Sequence, residues 1–143
     1  SGQARTRWET DAGSAHLTAG ASVVGALATI AALREGQDWL GEVRAYIRAN
    51  RDMVSDALNG LEGVEPTLPE ATYLAWLDCR DLGMERPARF FRKEAGVAMN
   101  EGVTFGRAWS GFCRLNLATG RGIEEETVRR IGDAVGRLSH AAS

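Results

Sequence analysis

The sequence predicts an α/β (α+β) domain, with a small, mainly antiparallel sheet covered on one face by helices and preceded by a long linking helix. Three observations carry this prediction. Residues 112–118, FCRLNLA, alternate cleanly, with Cys113, Leu115 and Leu117 on one side and Phe112, Arg114, Asn116 and Ala118 on the other. Residues 37–59 and 123–139 instead repeat their apolar positions every three or four residues, as a helix with one buried stripe does. The predicted order is helix, helix, strand, helix, short strand, strand, helix, and a single sheet can bury all of these stripes together.

Each element has its own signal. Residues 17–34, LTAGASVVGALATIAALR, are rich in small and apolar side chains and read as a buried helix closed by Gly36. In the next helix Leu40, Val43, Ile47, Val54, Leu58 and Leu61 form the stripe, while Arg44, Arg48, Arg51 and Asp52 lie mostly off it. Pro66 and Pro69 punctuate a turn, and residues 71–79, ATYLAWLDC, are apolar and aromatic enough for a buried strand. Pro87 suits the first turn of a short helix that presents Phe90 and Phe91 and stops at Gly96. Residues 97–99 are predicted as a short strand, and residues 100–111 as a loop built on Gly102, Gly106 and Gly111. The last helix buries Val128, Ile131, Val135 and Leu138 and carries Glu124, Glu125 and Glu126 in its first turn, where the helix dipole favours acids. This gives a loop segment over 1–16, linking helices over 17–60 and a small C-terminal domain over 61–143.

Composition narrows the function classes. With 143 residues, 44% of them apolar, the chain can bury a core without disulfide or metal. Its 17 basic and 19 acidic residues leave a net charge of -2, which argues against nucleic acid or an anionic membrane as partner. The longest apolar stretch, residues 21–33, is too short to span a bilayer, and no signal peptide is visible. Cys79 and Cys113 each sit in an apolar run, far from His16 and His140, so they read as buried thiols of a cytoplasmic protein and not as zinc ligands. Lys93 is the single lysine.

Arg114 is the candidate binding residue. A charge in the middle of an alternating strand must face something that compensates it. A guanidinium offers a planar fork that matches a carboxylate with two parallel hydrogen bonds, and Asn116 on the same face could add a donor. Spacing alone favours the blander alternatives, an internal salt bridge to Asp78 or a Glu, or exposure on an open sheet face. Trp76 and Tyr73 read as core residues.

The segment GVTFGRAWSGFCRLNLATGR, residues 102–121, resembles the signature near the C-terminus of fold-type-I pyridoxal-phosphate (PLP) enzymes, class I/II aminotransferase family. It is most similar to the cystathionine β-lyase-like C–S lyase branch. PEATYLAWLDCR, residues 69–80, resembles the first small-domain strand of that family, and ASVVGALATIAALREGQDWL, residues 21–40, the helix and turn joining its two domains. Ala71 stands where the family usually has glycine, and Thr119–Gly120 replaces a more typical pair ahead of Arg121.

The resemblance implies the C-terminal part of the PLP-dependent transferase fold. In the parent enzyme, an aminotransferase or C–S lyase, Arg114 would hold the substrate's α-carboxylate with Asn116 beside it. It further implies an amino-acid substrate, a PLP-binding large domain that is missing here, and a homodimer. The Schiff-base lysine that PLP chemistry requires precedes this region in the family, and Lys93 does not match its context. The isolated chain is therefore expected to bind no PLP and to be inactive, with no catalytic or metal-binding residue of its own. The family also brings this N-terminal region near the other subunit's active site, so His16 or Thr18 would line it. A rival from another class is a non-catalytic, aminotransferase-like ligand-binding module, either the sensor domain of a transcription regulator or a degenerate remnant. A DNA-binding region upstream would favour the sensor.

Overall fold

The computed structural model describes residues 2–3, 6–7 and 22–141. The expectations for the rest of segment 1–16, for His16 and Thr18, and for the first turn of the predicted 17–34 helix lie outside the described residues. The chain divides into two compact units, Ser1–Gly41 and Glu42–Ser143.

In the first unit, helix α1 spans Val23–Glu35. Ser22 caps it, its hydroxyl accepting from the Gly25 N–H at 3.4 Å, and the Gly36 N–H closes it on the Ala32 carbonyl at 3.0 Å. Composition predicts a buried helix here, but none of its residues is buried. Val23, Val24 and Leu33 remain about 70% exposed or more. A low-polarity sequence favours burial only where another surface is there to receive it.

Helix α2, Gln37–Leu58, continues into the second unit, where its last turns supply Asn50, Val54 and Leu58 to the core. Arg44 and Arg48 are exposed, as their positions off the stripe predict. Then follow β1 (Glu65–Thr67), β2 (Leu74–Asp78), α3 (Pro87–Glu94), β3 (Asn100–Glu101), β4 (Phe112–Asn116) and α4 (Arg121–Ala141). The sheet is antiparallel throughout, in the order β1-β2-β4-β3. The central pair aligns Ala75 with Leu115, Trp76 with Arg114 and Leu77 with Cys113.

That register sorts the two faces. Ala75, Leu77, Cys113 and Leu115 are buried, and they form one cluster with Val54 and Leu58 of α2, Ala88 and Phe91 of α3, and Val128, Ile131, Ala134 and Val135 of α4. Each fully buried large side chain, such as Phe91, Leu77 or Ile131, contributes about 1.5–3 kcal/mol of transfer free energy. One face of the sheet is thus covered by helices, as expected, and Trp76, Arg114 and Asn116 belong to the other. Asn50 is the one buried amide of α2. Its side-chain NH2 donates to the carbonyls of Leu117 at 2.9 Å and Thr119 at 3.0 Å, tying the helix to the end of β4. Among the described residues no helix is long and apolar enough to cross a membrane.

Two strand placements differ from expectation. The third strand lies at Asn100–Glu101, paired with Arg114 and Cys113, and not at residues 97–99. Here the Val97 N–H bonds the Phe91 carbonyl at 3.2 Å, so the chain is still leaving α3. Residues 65–67, read as part of a turn, form the edge strand β1 despite Pro66. An edge position tolerates proline because only one side of the strand needs donors.

Candidate carboxylate-binding face

The face of the sheet away from the helices is built around Arg114. Its neighbours across the register are Trp76 on β2 and Asn100 on β3. The guanidinium carbon sits 4.5 Å from the centre of the Phe105 ring, and Nη2 donates to Asn100 Oδ1 at 3.2 Å. Nε is buried and has no hydrogen-bond partner. Among the described residues no carboxylate pairs with Arg114. Of the internal partners that spacing suggested, Asp78 or a Glu, Asp78 is held instead by Arg80, with contacts of 2.6 to 3.1 Å. That Arg80 guanidinium also keeps the Asp78 carboxyl below its ordinary value. A half-buried guanidinium with no anion of its own among the described residues can receive a carboxylate from outside.

Aromatic rings wall the site. Trp76 meets Phe105 edge-on at 5.5 Å and stacks on Trp109 at 5.1 Å, and Trp109 meets Phe112 edge-on at 5.4 Å. Trp76 is therefore part of this wall and not of the main core, while Tyr73 is half exposed. The loop that delivers Phe105 and Trp109 is two short 3-10 turns, Gly102–Phe105 and Arg107–Trp109. Gly102 is required where the loop closes on itself: a Cβ there would run into the backbone oxygens of Trp109 and Phe112. Gly106, between the two turns, has φ +132°, which L side chains rarely adopt.

Asn116 lies at the end of the same strand, exposed, two positions from Arg114. Its Oδ1 accepts the Ala118 N–H at 2.9 Å, which leaves the amide NH2 as the group able to donate. It also lines a cavity of about 580 Å³ that includes Thr119, Glu124 and Arg130. Arg114 and Asn116 thus share a face without sharing a hydrogen bond.

Sequence reasoning missed Asn100 and Phe105 as neighbours of Arg114. Asn100 became visible only once the third strand was registered. Phe105 stands nine positions away on a loop, where no periodicity reports on contact.

Lys93 belongs to another surface. Its side chain is 83% exposed on α3, and Nζ pairs with Glu94 at 2.8 Å. Cys79 and Cys113 are buried with Sγ atoms 3.9 Å apart, and that contact together with burial pushes the Cys113 thiol up.

Comparison with known proteins decides the family. Residues 11–134 match the family described as aminotransferase class I and II. The chain belongs to that family. A putative cystathionine beta-lyase of Mycobacterium leprae is 36% identical over 131 residues, covering 81% of this chain and 33% of that protein. Among solved structures, a putative PLP-dependent beta-cystathionase from Corynebacterium diphtheriae is 43% identical with a TM-score of 0.75, covering 82% of this chain and 32% of that one. Cystalysin from Treponema denticola, whose structure contains a PLP cofactor, is 30% identical with a TM-score of 0.75, covering 82% and 30%. The chain spans about a third of the length of the curated relatives it matches. The helices and the four-stranded antiparallel sheet described above correspond to the C-terminal region of fold-type-I PLP enzymes.

The same placement tests the cofactor. A Schiff-base anchor must be a sheltered lysine facing the reacting centre. Lys93 is exposed, ion-paired and carried on α3, which packs on the helical face of the sheet, opposite Arg114. The residues of this chain do not fit as the anchor for PLP.

Proposed function

We propose that this chain is the C-terminal part of a PLP-dependent enzyme acting on an amino acid, by β-elimination at a C–S bond or by transamination. Its role there is to bind the substrate's carboxylate through Arg114, with Asn116 as an additional donor. The observation that carries this reading is the state of Arg114. Its guanidinium is half buried, its Nε is buried and unbonded, and Asp78, the aspartate named by sequence as an internal partner, is taken by Arg80. Family membership and relatives named as cystathionine beta-lyases support the amino-acid substrate class. PLP would be held by a large domain preceding this region, with residues 17–60 joining it to a small domain over 61–143. The working enzyme would be a cytoplasmic homodimer.

The chain's own contribution is binding and orientation. A carboxylate seated on the Arg114 fork has two contact points, which fixes the direction in which the rest of the substrate extends. The aromatic wall reduces water around that ion pair and so strengthens it.

The test is Arg114→Ala and Arg114→Lys in the full-length enzyme. Loss of a two-point charged contact removes about 2–4 kcal/mol, so kcat/KM for the alanine variant should fall roughly 30- to 1,000-fold. Lysine keeps the charge but not the fork and should recover only part of it. An unchanged kcat/KM in Arg114→Ala would refute the assigned role.

A further inference from the structure

We propose that Phe105 is a positioning residue for Arg114: its ring lies under the guanidinium and fixes the plane in which the fork meets a carboxylate. The proposal rests on the reading of Arg114 as the carboxylate-binding group.

An arginine that waits for an anion has a positioning problem. Its side chain is long and many-jointed, and a two-point contact works in only one plane. Most buried arginines solve this with a carboxylate partner, and none pairs with Arg114 among the described residues. Asn100 gives a single contact, at 3.2 Å on Nη2, which leaves the group free to pivot about that bond. Phe105 removes the pivot. With the guanidinium carbon 4.5 Å from the ring centre, swinging the guanidinium off the ring loses the attraction between the cation and the ring.

The ring is itself held. Trp76, opposite Arg114 in the register, meets Phe105 edge-on, and Trp76 is backed by Trp109. The turn carrying Phe105 is closed by the Thr104 hydroxyl donating to the Glu101 carbonyl at 2.6 Å, and by Gly102 packed against the Trp109 and Phe112 backbone. Core packing does not account for Phe105, because the residue stays 45% exposed. Its ring contacts include the guanidinium of Arg114 and the ring of Trp76, which join it to the carboxylate-binding face.

The experiment uses the full-length PLP-bound enzyme with Phe105→Leu and Phe105→Tyr, each alone and combined with Arg114→Ala. Leucine keeps the bulk and removes the ring's charge distribution, whereas tyrosine keeps both. The readouts are KM and kcat for an amino-acid substrate, the inhibition constant of a simple carboxylate (acetate), and the melting temperature. Phe105→Leu should raise KM and the acetate inhibition constant by about 3- to 10-fold with kcat little changed. Phe105→Tyr should stay within about twofold of the wild type, and Phe105→Leu should add nothing in the Arg114→Ala background. A purely structural role would lower the melting temperature and weaken both backgrounds alike. Wild-type binding in Phe105→Leu, or an equal loss with Arg114 absent, overturns this proposal while leaving the Arg114 reading intact. Wild-type KM and acetate binding in Arg114→Ala itself overturn both.

Discussion

Glu124 makes the stability of this protein depend on pH in a direction opposite to that of most carboxylates. It sits in the first turn of α4, 1% exposed, and Oε1 is buried without a hydrogen-bond partner. Burial pushes its carboxyl from 4.5 up to about 7. The unfolded chain gives up this proton near pH 4.5, whereas the folded chain keeps it until about pH 7. Between those values the folded state binds more protons, so stability falls as pH rises and levels off above about pH 7. The gap, at about 1.4 kcal/mol per pKa unit, sets a ceiling of about 3 kcal/mol on the loss. Most of it, about 2 kcal/mol, falls between pH 5 and pH 8. Glu126, held down to about 2 by Arg129 and Arg130, acts only at acid pH, outside this window. The perturbation is Glu124→Gln, which keeps the shape and stays neutral at every pH. Urea unfolding of both proteins at pH 5 and pH 8 gives the answer as a double difference, in which groups common to the two cancel. The wild type should lose about 2 kcal/mol more than the variant over that interval. Equal losses in the two proteins would refute the account.

Two further predictions follow from buried polar chemistry. Asn50→Ala removes the donor from the Leu117 and Thr119 carbonyls and should destabilise the fold by about 2 kcal/mol in urea unfolding; a change within experimental error would show that other groups satisfy those carbonyls. Cys79 and Cys113 are fully buried, and Cys113 resists ionisation, so a thiol reagent such as DTNB should find neither in the native chain and both in denaturant.

Where side-chain period decides structure, the sequence was easy to read. The alternation through Phe112–Asn116 assigns Arg114 to the face away from the core, because a two-residue period puts Cys113 and Leu115 on the other side. Pro87 and Gly96 likewise bracket α3, which runs from Pro87 to Glu94. Short elements carry no period. The two residues of β3 are a strand only through pairing with β4, and the three of β1 only through pairing with β2, which no local window records. The helix over 23–35 shows a different failure: composition reports a demand for burial but not what meets it. Around Arg114 the same limit applies. Its type and its side of the strand were readable, whereas its register, Asp78 turning to Arg80 and Phe105 folding beneath the guanidinium depend on contacts made in three dimensions.

The two outer strands bear on how this chain would fail under stress. A sheet aggregates most readily by recruiting another strand onto a long, unbroken edge. Here one edge is the three-residue β1 interrupted by Pro66, and the other is the two-residue β3 running directly into a 3-10 turn. Neither offers a run of backbone donors long enough to template a cross-β fibril. The exposed valines and leucines of α1 are a different hazard, since they can adhere through side chains without any register. Self-association of the folded chain should therefore give amorphous, dye-negative precipitate suppressed by polar substitutions in α1, and not ordered amyloid.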